Sequence, residues 1–378
     1  MYRSPREIMI LLVTLLPILI ARPAGTDPIE PDLRGQASGW LTGSRTTHRW
    51  KHTAGLRYIP QLRLRTSLGG DNLLDLEGSL NGFIAESNDA QLDDHDLELY
   101  RLKLRFATNR TEIRLGLQKL NFGPATLLRP LMWFDRIDPR DPLGLTDGVW
   151  ALRFRYDAPS NTSLWLWGLY PNDRTKGYEL LPTADDQPEL GGRLQAPFLD
   201  GELALTVHTR KVDIPYAGLG AIRENRVALD GRWDVEVGLW LESVFQQQRF
   251  DILRYEWTKM STLGIDYTFG IGNGLYALCE HMATVLSDGL LLWEEDYQVT
   301  AYSLNYPIGL FDNISAIGFY FWDDREYSQH IAWQRTWDNW ILNLSLFHYP
   351  ESLDSALMDP VDLPVTGYGA QVLVVYNH

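Results

Sequence analysis

The sequence predicts an all-β fold, a transmembrane antiparallel meander barrel. Three observations carry the prediction: segments of alternating apolar and charged residues recur, their connections alternate short and long, and the one long apolar run is N-terminal.

That apolar run extends from Ile8 to Ile20, after a start carrying Arg3 and Arg6 and before the small and polar stretch Ala21 to Thr26. It has the length of a signal-peptide h-region and is too short to cross a bilayer as a helix. Residues 1–24 are therefore expected to be a leader cleaved at about 21–24, residues 25–35 a short periplasmic segment, and residues 36–378 the barrel. Beyond Gly25 no further stretch of about 18 apolar residues occurs, so any membrane crossing must use strands.

Composition agrees. Aromatic residues make up 12% of the chain, with 14 Trp and 18 Tyr, which suits aromatic girdles at two membrane interfaces. The formal net charge is -15, and loss of the leader removes three arginines and one glutamate, leaving the mature chain more acidic still. Such a charge argues against nucleic acid as a partner. The single cysteine, Cys279, rules out an intramolecular disulfide framework and reads as a small hydrophobe, buried or facing lipid.

The strand segments show period two. Leu102, Leu104 and Phe106 alternate with Arg101, Lys103 and Arg105; Leu152, Phe154 and Tyr156 alternate with Arg153 and Arg155; Leu203, Leu205 and Val207 alternate with Thr206, His208 and Arg210. A soluble sandwich would alternate in the same way, so the connections must decide. Short turns are read at 108–110, 159–162, 199–201, 234–236, 271–274, 310–313 and 337–339. Between them fall mostly longer links at 89–96, 122–149, 171–187, 215–223, 251–255, 287–296 and 351–366. Short turns at one end and long links at the other mark an outer-membrane barrel. Counting back from a last strand at 367–376, with both termini periplasmic, requires a first strand at 36–47 and gives about 18 strands, with 16 if one weak pair fails.

A barrel of that size is too wide for wall side chains to fill. Without a separate plug domain, a loop must narrow it, and the third long link, 122–149, is the candidate. Leu127, Leu128, Leu131, Met132, Trp133, Phe134 and Ile137 need burial, and four prolines stiffen the path. Folded inward, this link presents Arg129, Asp135, Arg136, Asp138, Arg140 and Asp141 to the channel as a constriction, or to the wall as clamps.

Taking the charged face of each strand as lumenal assembles a basic stripe: Arg57, Arg63 and Arg65, then Arg101, Lys103 and Arg105, then Arg114 and Lys119, then Arg153 and Arg155. Asp75, Glu77 and Glu112 offset part of it. The stripe either favours anionic solutes or is cross-strand ion pairing with no bearing on solute.

Catalytic signals are weak. The eight histidines are scattered, with His48 and His52 near the first link and His95 inside the Asp93 to Asp96 run, and none has the spacing of a nucleophile or metal site. That acidic run reads as an exposed loop before it reads as a divalent-cation site. No enzyme activity, metal or cofactor is expected.

Gly116-Leu117-Gln118-Lys119-Leu120-Asn121-Phe122-Gly123, followed by Phe134-Asp135-Arg136-Ile137-Asp138-Pro139-Arg140-Asp141-Pro142, resembles a segment of uncharacterised barrel proteins grouped near the alginate-export and porin families. The resemblance implies an outer-membrane barrel; in the alginate-export case it implies 18 strands and an arginine-rich lumen passing anionic polysaccharide.

The expectation is a multi-pass outer-membrane channel for passive diffusion of small hydrophilic solutes, anions among them. Its expected partners are outer-membrane lipid and lipopolysaccharide, with a homo-oligomer or a periplasmic protein as further candidates. The alternative is an occluded barrel serving as scaffold or export component of an envelope complex. An outer-membrane hydrolase ranks third.

Overall fold

The computed structural model describes residues 28–88, 94–172, 174–213, 221–249, 254–351 and 366–378. The expected leader lies outside the described residues, as do parts of several long links.

Among the described residues, strands alone build the fold. In order they are β1 (Glu30–Arg45), β2 (Trp50–Ser67), β3 (Leu73–Ser87), β4 (Asp94–Ala107), β5 (Thr111–Gln118) and β6 (Val149–Asp157). There follow β7 (Ser163–Leu169), β8 (Glu189–Phe198), β9 (Gly201–Val212), β10 (Ile222–Asp234), β11 (Gly238–Gln248) and β12 (Trp257–Phe269). The last six are β13 (Leu275–Ser287), β14 (Glu295–Pro307), β15 (Asp312–Phe321), β16 (Glu326–Trp337), β17 (Trp340–Tyr349) and β18 (Gly367–Asn377). Each pairs antiparallel with its chain neighbours, and β18 closes on β1 with Ala37 opposite Tyr376 and Trp40 opposite Leu373. The result is an 18-stranded closed meander with no free sheet edge.

The turns explain the register. Leu199 and Asp200 both adopt positive φ, 48° and 59°, the two-residue hairpin geometry whose twist matches the flanking strands. Every connection on that end of the barrel is short. The other end holds the long links, although two of its connections, 46–49 and 322–325, are as short as turns.

β1 starts at Glu30, six residues before the expected start, so most of the segment anticipated at 25–35 is strand. Its extension is dictated by β2, which runs to Ser67 and needs a partner: Glu30 lies opposite Arg65 and Leu33 opposite Leu62. β4 carries a bulge where its register against β3 shifts: Ser79 faces Arg101 but Leu80 faces Leu99. The extra residue, Tyr100, lets both its own ring and Arg101 turn toward the lumen; the Arg101 guanidinium lies 3.9 Å from the Tyr100 ring centroid.

The outer face is apolar and bare. Leu152 is 53% exposed, Leu205 49% and Leu263 62%, and such residues recur on almost every strand. Water does not tolerate a continuous belt of this kind; hydrocarbon does. Trp50, Trp322, Tyr327 and Tyr368 ring the belt at the long-link end, and Phe198, Phe311, Trp337 and Trp340 at the short-turn end.

The inner face divides into two sectors. From β11 to β15 it is largely apolar, with Trp240, Val244, Met260, Leu278, Met282, Val299 and Ala301 pointing inward. From β16 through β18 and β1 to β4 it is polar, with Ser328, His330, Asn343, Ser345, Thr42, Arg57 and Arg101.

Candidate functional site

An apolar inner wall needs a cover, and the link between β5 and β6 provides it. Leu120, Phe122, Leu131, Trp133 and Phe134 pack on Ala151, Trp167, Ala228, Val244 and Met260. Further along, Ala125, Leu127 and Leu128 pack on Trp240, Leu278, Met282, Val299 and Ala301. The third long link therefore lies inside the barrel, as its composition demanded.

Two wall carboxylates hold its backbone. Glu280 Oε1 accepts the amide of Thr126 at 2.7 Å and the Trp240 indole at 2.9 Å; Oε2 accepts the amides of Leu127 at 2.8 Å and Leu128 at 2.6 Å. Glu242 accepts the amides of Ala125 at 2.8 Å and Leu131 at 3.1 Å. Both carboxylates are fully buried, which is costly unless their oxygens are bonded; three successive amides converging on one carboxylate meet that requirement. Gly123, at φ 95°, makes the approach possible, since a Cβ there would overlap the Glu242 carboxylate.

A second link also turns inward, which the sequence reading did not anticipate. Lys176 and Glu179, between β7 and β8, are buried among wall charges. Lys176 Nζ lies 2.8 Å from Glu189, and Glu179 lies 3.0 Å from Arg210 and 2.9 Å from Arg226. The two links touch: Arg136 Nε donates to the Gly177 carbonyl at 3.0 Å.

The predicted constriction residues separate into two groups. Arg129 and Asp135 face each other at 3.4 Å, both buried within the link. Arg136, Asp138, Arg140 and Asp141 line a cavity of about 450 Å³ with Trp40, Thr42, Arg57, His330, Ser345, Tyr349 and Gln371. There Arg140 stacks over Phe319 at 5.4 Å and Tyr349 at 5.2 Å, and contacts Asp138 at 2.8 Å. Burial pushes the Asp141 carboxyl above its usual range, and amide donors from Leu143 and Leu145 oppose the shift. Arg136 also lines a second cavity, of about 380 Å³, with Tyr100, Trp150 and Lys176.

The basic stripe divides likewise. Arg63 and Lys103 meet Glu77 at 2.8 and 3.0 Å, and Arg105 meets Asp75 at 3.0 Å and Glu112 at 2.5 Å. Arg114 and Arg153 share Glu112, and Arg155 meets Asp157 at 2.9 Å. Four cations have no carboxylate partner among the described residues. Arg57 lies over Trp40 at 5.5 Å and Phe83 at 5.0 Å, Arg101 donates to the Thr146 carbonyl at 2.7 Å, and Arg65 and Lys119 are exposed. Asp93 lies outside the described residues, while Asp94, His95 and Asp96 begin β4.

Glu242, Glu280, Lys176 and Glu179 escaped the sequence reading. A signal for the first two exists: Glu242 sits between Trp240 and Val244, and Glu280 between Leu278 and Met282, on the inward parity of strands apolar on both faces. A lone acid in an inward apolar row marks something it must bind.

No protein-family model matches the sequence, and no curated protein is significantly similar to it. Solved structures match over nearly the whole chain. OccD3 of Pseudomonas aeruginosa is 10% identical with a TM-score of 0.58, covering 95% of this chain and 95% of its own. OmpF of Salmonella typhi, solved in complex with daunomycin, is 12% identical with a TM-score of 0.54, covering 92% and 97%. OmpT, an outer membrane protein of Vibrio cholerae solved in a trimer form, is 12% identical with a TM-score of 0.52, covering 93% and 100%. At these identities the likeness is one of fold: the chain shares the closed antiparallel β-barrel architecture of these structures.

Proposed function

We propose that the protein is an outer-membrane channel for passive diffusion of small hydrophilic solutes, with both termini periplasmic and with anions preferred over cations. The observation that carries this reading is the sectored lumen. The apolar parts of two inward links cover the side from β5 to β15, while residues 136–141 of the third link face the polar side from β16 to β4 across a cavity that holds the solute path past Arg57, Arg136 and Arg140. Of these, Arg57 and Arg136 have no carboxylate partner among the described residues, and such cations raise the local concentration of anions even in an acidic protein. The outward apolar belt and its two aromatic rings support the membrane setting, with bilayer and lipopolysaccharide as its surroundings. A homo-oligomer belongs to this reading, since one barrel of like fold was solved as a trimer.

Planar-bilayer recording tests it. Purified protein of verified insertion should give discrete openings; none at any voltage tried would remove the channel reading and favour the occluded scaffold. The volume of lumen filled by the two links is the observation on the scaffold's side. Passage of anionic polysaccharide, implied by the alginate-export resemblance, would show as block of those openings by added polyuronate.

A further inference from the structure

We propose that Glu179 is a positioning residue for the constriction: the turn Lys176–Glu179 is a strap that presses the third link onto the barrel wall, and Glu179 is its latch. The proposal rests on the channel reading for its functional meaning, though not for its structural test.

The turn is closed by the Glu179 amide donating to the Lys176 carbonyl at 2.8 Å, with Gly177 at φ 49°. It reaches a socket of wall side chains. Glu224 on β10 holds Arg210 at 2.7 Å and Arg226 at 2.5 Å, and Glu189 on β8 holds His208 at 3.1 Å. Glu224 alone meets both guanidiniums, so Glu179 brings the second carboxylate to the pair, and Lys176 brings a cation to Glu189. The link is thus attached to the wall through one charge of each sign, each seated on wall groups of opposite charge.

Beneath the turn lies the third link. A Cβ at Gly177 would overlap the Met132 carbonyl oxygen, so the two backbones are in contact. Tyr178 packs against the cluster containing Leu131, Trp133 and Phe134. The latch partner Arg226 lies 5.7 Å from the Trp133 ring, and His208 lies 5.0 Å from the Phe134 ring. Side chains at 0 to 3% exposure in a lumen that water can enter stay dry only under such a cover. The third link is thus held from two directions, by Glu242 and Glu280 from the wall and by this strap from the long-link end.

Limited trypsin digestion of the full-length protein in detergent, read by mass spectrometry at Arg136 and Arg140, tests the strap. Glu179→Gln removes the latch charge, and Gly177→Ala forces the turn off Met132. Leu180→Ser, at a residue 73% exposed, is the control. Cleavage at these two arginines should be roughly tenfold faster in the first two variants and unchanged in the control, because a buried charged contact restrains the local opening. Gel mobility of the unheated barrel confirms that each variant scored is folded, and either of the two suffices. Cleavage rates equal to wild type in the folded variants would overturn the proposal. Absence of channel openings with faster cleavage would defeat the channel reading and leave the strap intact.

Discussion

Glu280 accepts four hydrogen bonds, three from consecutive amides of the third link and one from Trp240, and is itself fully buried. Replacing it with glutamine keeps one oxygen and puts an NH2 group where two donors point. Each donor left facing another donor in a buried site costs about 1–3 kcal/mol, so Glu280→Gln should weaken the seat of residues 126–128 by about 2–6 kcal/mol. Glu280→Leu removes all four acceptor contacts and should weaken the seat further. The barrel ladder is untouched, so the cost falls on the link and not on the fold. Single-channel recording reads the consequence: greater open-level noise and a higher mean conductance in Glu280→Gln, both larger in Glu280→Leu. Wild-type noise and conductance in both variants would show that these contacts do not set the lumen's width.

Three further outcomes follow from the same geometry. Leu205→Arg, on the outward face, should cost about 2–4 kcal/mol of barrel stability in lipid, as expected near a bilayer midplane, measured by urea titration in vesicles; a cost below about 0.5 kcal/mol would contradict the outward assignment. Asp141, raised above the usual carboxylate range by burial, gains its proton as pH falls, before an exposed carboxylate does. The constriction then becomes more positive, so anion preference should rise as pH falls and rise less in Asp141→Asn, as read by reversal potential. Arg105→Ala should strand Asp75 in the wall and lower anion preference more than Arg155→Ala, whose partner Asp157 is half exposed.

Much of the architecture was legible because a barrel writes its geometry locally. Leu203, Leu205 and Val207 against Thr206, His208 and Arg210 gave the two faces of β9, and the short turn at 199–200 gave its register. The apolar density of 127–137 declared that link buried before any contact was known. The strap was not legible in the same way. Residues 171–187 read only as one of the long links, because the burial of Lys176 and Glu179 depends on charges on β8, β9 and β10 that no local pattern connects. The ten basic residues of the stripe were all visible, but which of them lack carboxylates depends on register across neighbouring strands. Arg63 falls opposite Glu77, whereas Arg57 falls opposite Phe83. Tyr100 could have been noticed, since the spacing of Leu97, Leu99 and Leu102 slips by one residue at the bulge.

Anion preference is proposed to arise where the solute path passes Arg57 and Arg136, which have no carboxylate partner among the described residues. Reversal potential across a tenfold potassium chloride gradient, for wild type and for Arg57→Ala with Arg136→Ala, tests it most directly. Chloride preference in wild type that falls in the double variant is the predicted result. Cation preference in wild type, or chloride preference unchanged in the variant, would contradict it.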